Sequence, residues 1–299
     1  MTCARCDIAA PIKALPCRLQ ATNISNHYHL DLYLEIEWPG VPFLSAMNLS
    51  GGLLCRRLSM PWRRVFGKKI ATLRPHLLDF LRLDEPAPRH ALTLAEWSQP
   101  IALRSLLATW SDHIYRHQPT LPREQKPLLS LWAQWYIGLL VPPLMLALLN
   151  EPQGLSLAPE HFHVEFHESG RAACFWIDVH SDADIERLSP QARMDALVTR
   201  TLQPVVEALA ATGEINSKLI WSNTGYLINW YLGEMRALLG DERLAALRQH
   251  CFFEKQLADG QDNPLWRTVM LREGQLVRRT CCQRYRLPDV QQCGDCTLK

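Results

Sequence analysis

Glycine is scarce, 14 residues in 299 against 20 prolines, which excludes collagen-like and low-complexity chains. An excess of charge of either sign is also missing. Thirty-two Lys plus Arg face 30 Asp plus Glu, a formal net charge of +2. That balance excludes a basic nucleic-acid coat and a disordered acidic tail, so no nucleic-acid partner is expected. No glycine-rich phosphate loop of the common kinds and no internal repeat is visible. The start shows no charged residues leading into an apolar run with a small-residue cleavage site, so no secretory signal is read and a cytoplasmic chain with reduced thiols is expected. Ten cysteines are too few over this length for a disulfide-stapled mini-domain. Their distribution is uneven: Cys281, Cys282, Cys293 and Cys296 fall within the last nineteen residues.

What remains is an ordinary globular composition, 47% apolar, with changing periodicity along the chain. Residues 1–60 show no clear period. They hold Cys3-Ala-Arg-Cys6, Cys17 and His27-Tyr28-His29, and Met47 and Met60 offer alternative starts. They read as a poorly assignable extension before a main domain at 61–299, whose tail is 278–299. From Ile70 the pattern turns helical: Leu73, Leu77, Phe80 and Leu81 share one stripe, closed by Pro86 and Pro88. Thr93 and Glu96 stand at capping-box spacing, and Leu103, Leu106, Leu107, Trp110 and Ile114 mark the next helix. Residues 128–149 carry no charge over 22 positions, long enough to cross a bilayer. Gln134 and Pro142-Pro143 interrupt the run, and proline inside a helix costs about 3 kcal/mol or more. Two buried helical pieces meeting at the prolines are therefore expected, with membrane insertion or peripheral attachment at the inner face as the alternative.

From His161 to Val179 the period becomes two, broken by Glu168-Ser169-Gly170, which predicts a β-hairpin. Ser189-Pro190 opens a helix ending near Gly213; two more follow, over 217–239 and 241–250, separated by Gly240. A second hairpin over 265–280 turns at Arg272-Glu273-Gly274 and runs into Cys281. The fold class is α+β, mostly helical, with two β-hairpins and a cysteine-rich C-terminal tail.

The tail carries the strongest chemical signal, C-C-x10-C-x2-C. Four thiolates can hold the two irons of a [2Fe–2S] cluster or one tetrahedral zinc. Cys293-x2-Cys296 lets two sulfurs reach one metal, and Gly294 relaxes the backbone between them. Adjacent Cys281 and Cys282 point to opposite faces of a strand, so both ligate only if the chain bends on leaving the hairpin. The spacing departs from the paired C-x2-C pattern of zinc sites. Iron–sulfur, structural zinc in a non-enzymatic interaction module, and no metal all stay open on spacing alone. Arg278, Arg279, Arg284 and Arg286 crowd the same place. They offer contacts to an oxygen-rich anionic partner and would raise the potential of a thiolate cluster. Taken singly, an arginine there reads as solvated.

Two weaker constellations remain. Strict alternation would put His161, His163, Glu165 and His167 on one strand face, a set able to bind non-haem iron, although an amphipathic strand looks the same. Trp221, Tyr226, Trp230 and Tyr231 could line a pocket with Asn223 or Asn229 as polar handles; aromatics at this spacing more often pack a core.

The tail motif, Arg82-Leu83-Asp84-Glu85-Pro86-Ala87-Pro88, the apolar run and Trp221-Ser222-Asn223-Thr224-Gly225-Tyr226 together resemble the FhuF family of ferric siderophore reductases, from about Leu77 to Lys299. The resemblance implies that Cys281, Cys282, Cys293 and Cys296 ligate a [2Fe–2S] cluster. It implies one-electron reduction of ferric hydroxamate siderophores, with an unidentified electron donor. Residues 1–60 do not share it, so Cys3, Cys6 and Cys17 inherit no cluster role.

Overall fold

A computed structural model describes residues 62–294 and 296–298; the readings placed on residues 1–60 lie outside them. Helix α1 (Trp62–Leu73) stops before Pro75, because the residue preceding a proline is pushed out of helical space, and Arg74 sits at φ −148°. A 3-10 turn (Pro75–Asp79) follows, and then strand β1 (Leu81–Leu83). The helical stripe expected over 73–81 is thus corrected. Leu81–Leu83 pairs in parallel with residues 175–177, a partner that local periodicity cannot show.

Helix α2 (Leu94–Trp97) carries the expected capping contact: the Thr93 amide donates to Glu96 Oε2 at 2.7 Å. Helix α3 (Pro100–Ile114) buries Leu103 and Trp110. Helix α4 (Gln125–Asn150) is apolar on every side and buried along most of its 26 residues. Among the described residues it alone is long and apolar enough to cross a membrane, but its apolar surface is taken up inside the protein. The expected break at the prolines does not occur. Pro142 and Pro143 lie within one continuous helix. Each removes a hydrogen bond, yet Val141, Leu144, Met145 and Leu148 around them are fully buried. Burying one such side chain contributes about 1.5–3 kcal/mol, so a few of them outweigh the proline cost.

The first hairpin, β2 (Phe162–Phe166) and β3 (Ala172–Ile177), forms as expected, and β1 joins β3 to give the order β1-β3-β2. Its register opposes Phe162 to Ile177 and Val164 to Phe175, all four buried. Phe175 meets Tyr136 of α4 edge to face at 5.2 Å. Gly170 closes the turn at φ +84°, where a Cβ would stand 2.5 Å from the Leu106 carbonyl, so no other residue fits.

The single-face histidine site is overturned by this geometry. His161 ends a 3-10 turn before β2 and packs against His180, the rings tilted by 32° with centroids 4.2 Å apart. His167 lies beyond the strand, where its Nδ1 accepts from the Ser169 amide at 3.1 Å. His163 and Glu165 stay in the strand, and Glu165 accepts from Trp176 Nε1 at 3.2 Å. Alternation could not reveal that the strand is only five residues long.

Helix α5 (Ala183–Arg187) precedes a continuous helical run. In that run α6 (Pro190–Ala196), capped by Ser189, passes through a π turn (Leu197–Leu202) into α7 (Gln203–Ala210). Helices α8 (Ser217–Glu234), α9 (Arg236–Leu239) and α10 (Asp241–Phe253) follow. Strands β4 (Val269–Arg272) and β5 (Gln275–Arg278) make the second hairpin. Its two turn residues, Glu273 at φ 48° and Gly274 at φ 80°, are both left-handed, as two-residue turns matching strand twist require. This hairpin packs on α8 beside α4 and aims the tail at the start of α4.

Candidate functional site

Strand β5 ends at Arg278 and, after Arg279 and Thr280, delivers Cys281 and Cys282. The bend the sequence demanded is present: Gln283 takes φ 64°, and a 3-10 turn (Arg284–Arg286) reverses the chain. Cys293 and Cys296 return in a tight turn closed by the Cys296 amide on the Cys293 carbonyl at 3.2 Å. The four thiols then lie as two pairs, Cys281 Sγ 3.9 Å from Cys296 Sγ and Cys282 Sγ 3.9 Å from Cys293 Sγ. These separations far exceed a disulfide bond of about 2 Å. Cys282, Cys293 and Cys296 are 1%, 9% and 5% exposed, while Cys281 is half-buried.

Among the described residues no three His, Cys, Asp or Glu side chains converge on a single ion. Two pairs suit two irons, each taking two sulfurs, better than one tetrahedral zinc. The thiols share protons unevenly. Cys282 is drawn down to about 6, first by its contact with Cys293 and then, against burial, by the Arg278 guanidinium. Cys293 is pushed up, by Cys282 and by burial. Burial also raises Cys281, partly offset by the Gln283 amide on its sulfur at 3.3 Å.

A polar chain ties this tail to the helical body. Ser130 Oγ, near the start of α4, donates to the Cys282 carbonyl at 2.7 Å and accepts from Asn223 Nδ2 at 2.9 Å. Asn223 Oδ1 accepts from Arg278 Nη1 at 3.2 Å, and Arg278 Nη2 donates to Cys293 Sγ at 3.2 Å. The same guanidinium lies over the Tyr226 ring at 4.7 Å, in cation–π range. Thr280 Oγ1 donates to Ser222 Oγ at 2.7 Å. Gly225 lets the hairpin approach α8, since a Cβ there would fall 2.0 Å from Thr268 Oγ1.

The arginines divide. Arg278 is 2% and Arg284 7% exposed, and Arg284 Nε donates inward to the Gln291 carbonyl at 2.9 Å. Arg279 is exposed, and Arg286 forms an exposed ion pair with Glu124. Of the aromatics, Trp221 and Tyr231 are buried in the core, and Trp230 packs partly buried against it. Asn223, flagged as a pocket handle, serves the tail instead, whereas Asn229 makes no such contact and keeps a buried, unpartnered Oδ1. Ser130, Ser222 and Thr280 were not singled out by sequence. The available signal was a pair of neighbouring polar residues, Ser222-Asn223, inside an otherwise apolar helix.

A cysteine set paired for two irons, held in a mostly buried pocket by a hairpin, defines an iron–sulfur protein. Comparison with known proteins sharpens this. Residues 278–298 match the model of the FhuF 2Fe-2S C-terminal domain, and residues 130–276 match that of the ferric iron reductase FhuF-like transporter. A ferric siderophore reductase of Escherichia coli (strain K12) is 69% identical over 230 residues, covering 77% of this chain and 88% of that relative. The chain belongs to the FhuF family of iron–sulfur oxidoreductases, and its cofactor is a [2Fe–2S] cluster. That finding removes the zinc and metal-free alternatives.

Proposed function

We propose that this chain reduces ferric iron bound in hydroxamate siderophores, using a [2Fe–2S] cluster ligated by Cys281, Cys282, Cys293 and Cys296. The observation that carries the reading is the two-pair arrangement of those sulfurs at 3.9 Å. When bound, such a cluster supplies single electrons. Hydroxamate oxygens are hard and charged, so they hold Fe(III) tightly and Fe(II) far less. Adding one electron therefore releases the iron and leaves the chelator intact.

The chain's own residues set the geometry of exchange. Half-buried Cys281 marks the side on which the pocket is open, and exposed Arg279 stands beside it in sequence. Arg279 and Arg286 offer donors to the chelate's oxygens; Arg278 and Arg284, turned inward, serve the fold of the tail. The electron comes from an external reductant, and the same exposed edge suits both exchanges. No membrane contact is required for either.

The test is single turnover. Protein reduced anaerobically by dithionite, then freed of excess, is mixed with a ferric trihydroxamate in the presence of a ferrous-specific chelator. One Fe(II) is expected per cluster oxidised, and Arg279→Glu slows the reaction at unchanged cluster content. Cluster oxidation without Fe(II) release, or equal rates for the charge-reversed protein, overturns the corresponding part.

A further inference from the structure

We infer that Arg278 is the buried counter-ion of the cluster and sets its reduction potential, held in register by Asn223 and Ser130. The inference deepens the proposed function and rests on its assignment of Cys293 as a ligand. Arg278 is 2% exposed, and an ionised side chain out of water costs several kcal/mol unless an opposite charge compensates it. Among the described residues no carboxylate does so. None of the ion pairs among the described residues includes Arg278. Its partners are the Asn223 amide oxygen, the Tyr226 ring face and the Cys293 sulfur. Its Nε is buried with no partner, a further donor in the pocket. The anion that balances this guanidinium is thus the thiolate set itself.

Its neighbours in sequence do not share the contact; buried Arg284 adds charge near Cys293 but aims its guanidinium elsewhere. Arg284 is bonded to a backbone carbonyl, Arg286 to Glu124, and Arg279 stands in water. Arg278 alone of the four bonds a sulfur through its guanidinium, and it does so on the inner pair, Cys282 and Cys293; Arg284 reaches the Cys282 sulfur only through its backbone amide. Asn223 and Ser130 hold the fork of the guanidinium in place, and Ser130 simultaneously fixes the Cys282 backbone. One polar chain therefore sets both the ligand loop and the charge beside it.

The sign follows from charge. Adding an electron makes a thiolate-ligated cluster more negative, so a fixed cation and a hydrogen bond to a ligand sulfur favour the reduced state and raise the potential. Arg278 makes the cluster easier to refill from a given donor. Neutralising it gives a stronger reductant that recharges less readily. Arg278 acts through Cys293 and is a positioning residue.

The experiment is a mediated redox titration of cluster-loaded full-length protein, followed by EPR, with iron and acid-labile sulfide measured on each sample. Arg278→Gln is expected to keep its cluster and to shift the midpoint to more negative potential. Arg278→Lys shifts less, because it keeps the charge but loses the fork. Asn223→Ala, which frees the guanidinium without removing it, shifts in the same direction, and Arg279→Gln stays at the wild-type value. A loaded Arg278→Gln or Asn223→Ala protein with the wild-type midpoint overturns the inference. If Arg278→Gln does not load, Asn223→Ala decides on the same readout. Wild-type protein without sulfide overturns the cluster assignment itself, a result distinct from a loaded wild type whose variants do not move.

Discussion

Helix α4 and the cysteine tail are held by different physics. The helix is surrounded by apolar side chains, with Leu128, Trp132, Leu144 and Leu148 all buried, and needs nothing but the rest of the chain. Among its described residues the tail lends one buried aliphatic side chain, Leu287, to the main core; the other buried ones are thiols and two arginines. Apolar burial stabilises irrespective of ligand. A cluster of thiols and an unpaired guanidinium does so only when a metal group makes their charges complementary. On this ground the helix is expected to fold in any state and the tail to depend on its cofactor.

The sharpest way to break that contrast is Cys282→Ser. It is expected to abolish bound iron and sulfide and to reduce siderophore-iron reduction to background. The helical circular dichroism should stay, since α4 does not depend on the tail. Leu144→Ala should do the reverse: about 2–5 kcal/mol of stability lost in urea unfolding, as for other fully buried leucines, with normal sulfide content per folded molecule. Gly225→Ala tests the joint between the two regions. Its new Cβ would collide with Thr268, and overpacking of this kind costs about 1–3 kcal/mol. Cluster content is expected to fall with it, because the hairpin that aims the cysteines must move off α8.

The smallest effect expected is a pH dependence remote from both regions. His250 donates to Asp195 and Glu254, each at 2.7 Å, and the Asp195 hydrogen bond, opposed by burial, raises its pKa above the ordinary 6.5. A raised folded pKa gives stabilisation that is complete below about 6.5 and lost as pH rises through the folded value. His250→Gln should flatten the urea midpoint across that window and leave iron and sulfide unchanged. A change in cluster content there would show that α10 and the tail are coupled.

Much of this was legible along the chain. The Thr93–Glu96 cap, the turn at Glu168-Ser169-Gly170, the Ser189 cap and the Glu273-Gly274 turn are local devices whose residues lie within three or four positions of each other. Each forms where its residues stand. The errors share one cause. Leu81–Leu83 became a strand because its partner lies at 175–177, and Pro142-Pro143 stayed helical because distant residues bury both sides. Among the arginines, sequence could not separate the buried Arg278 and Arg284 from the exposed Arg279. For Arg278 that depends on which side of β5 meets α8, and for Arg284 on how the 3-10 turn packs against α4.

The sequence by itself determined the chemistry available: four thiols at fixed intervals, a bend where two are adjacent, and a charge-free stretch that has to be hidden from water. These follow from bond lengths and from hydration, which every short segment carries with it. Tertiary structure alone decided how the sulfurs pair and which arginine faces them. Ser130, Asn223 and Arg278 stand 93 and 55 positions apart in the chain and become neighbours only when α4, α8 and β5 pack together.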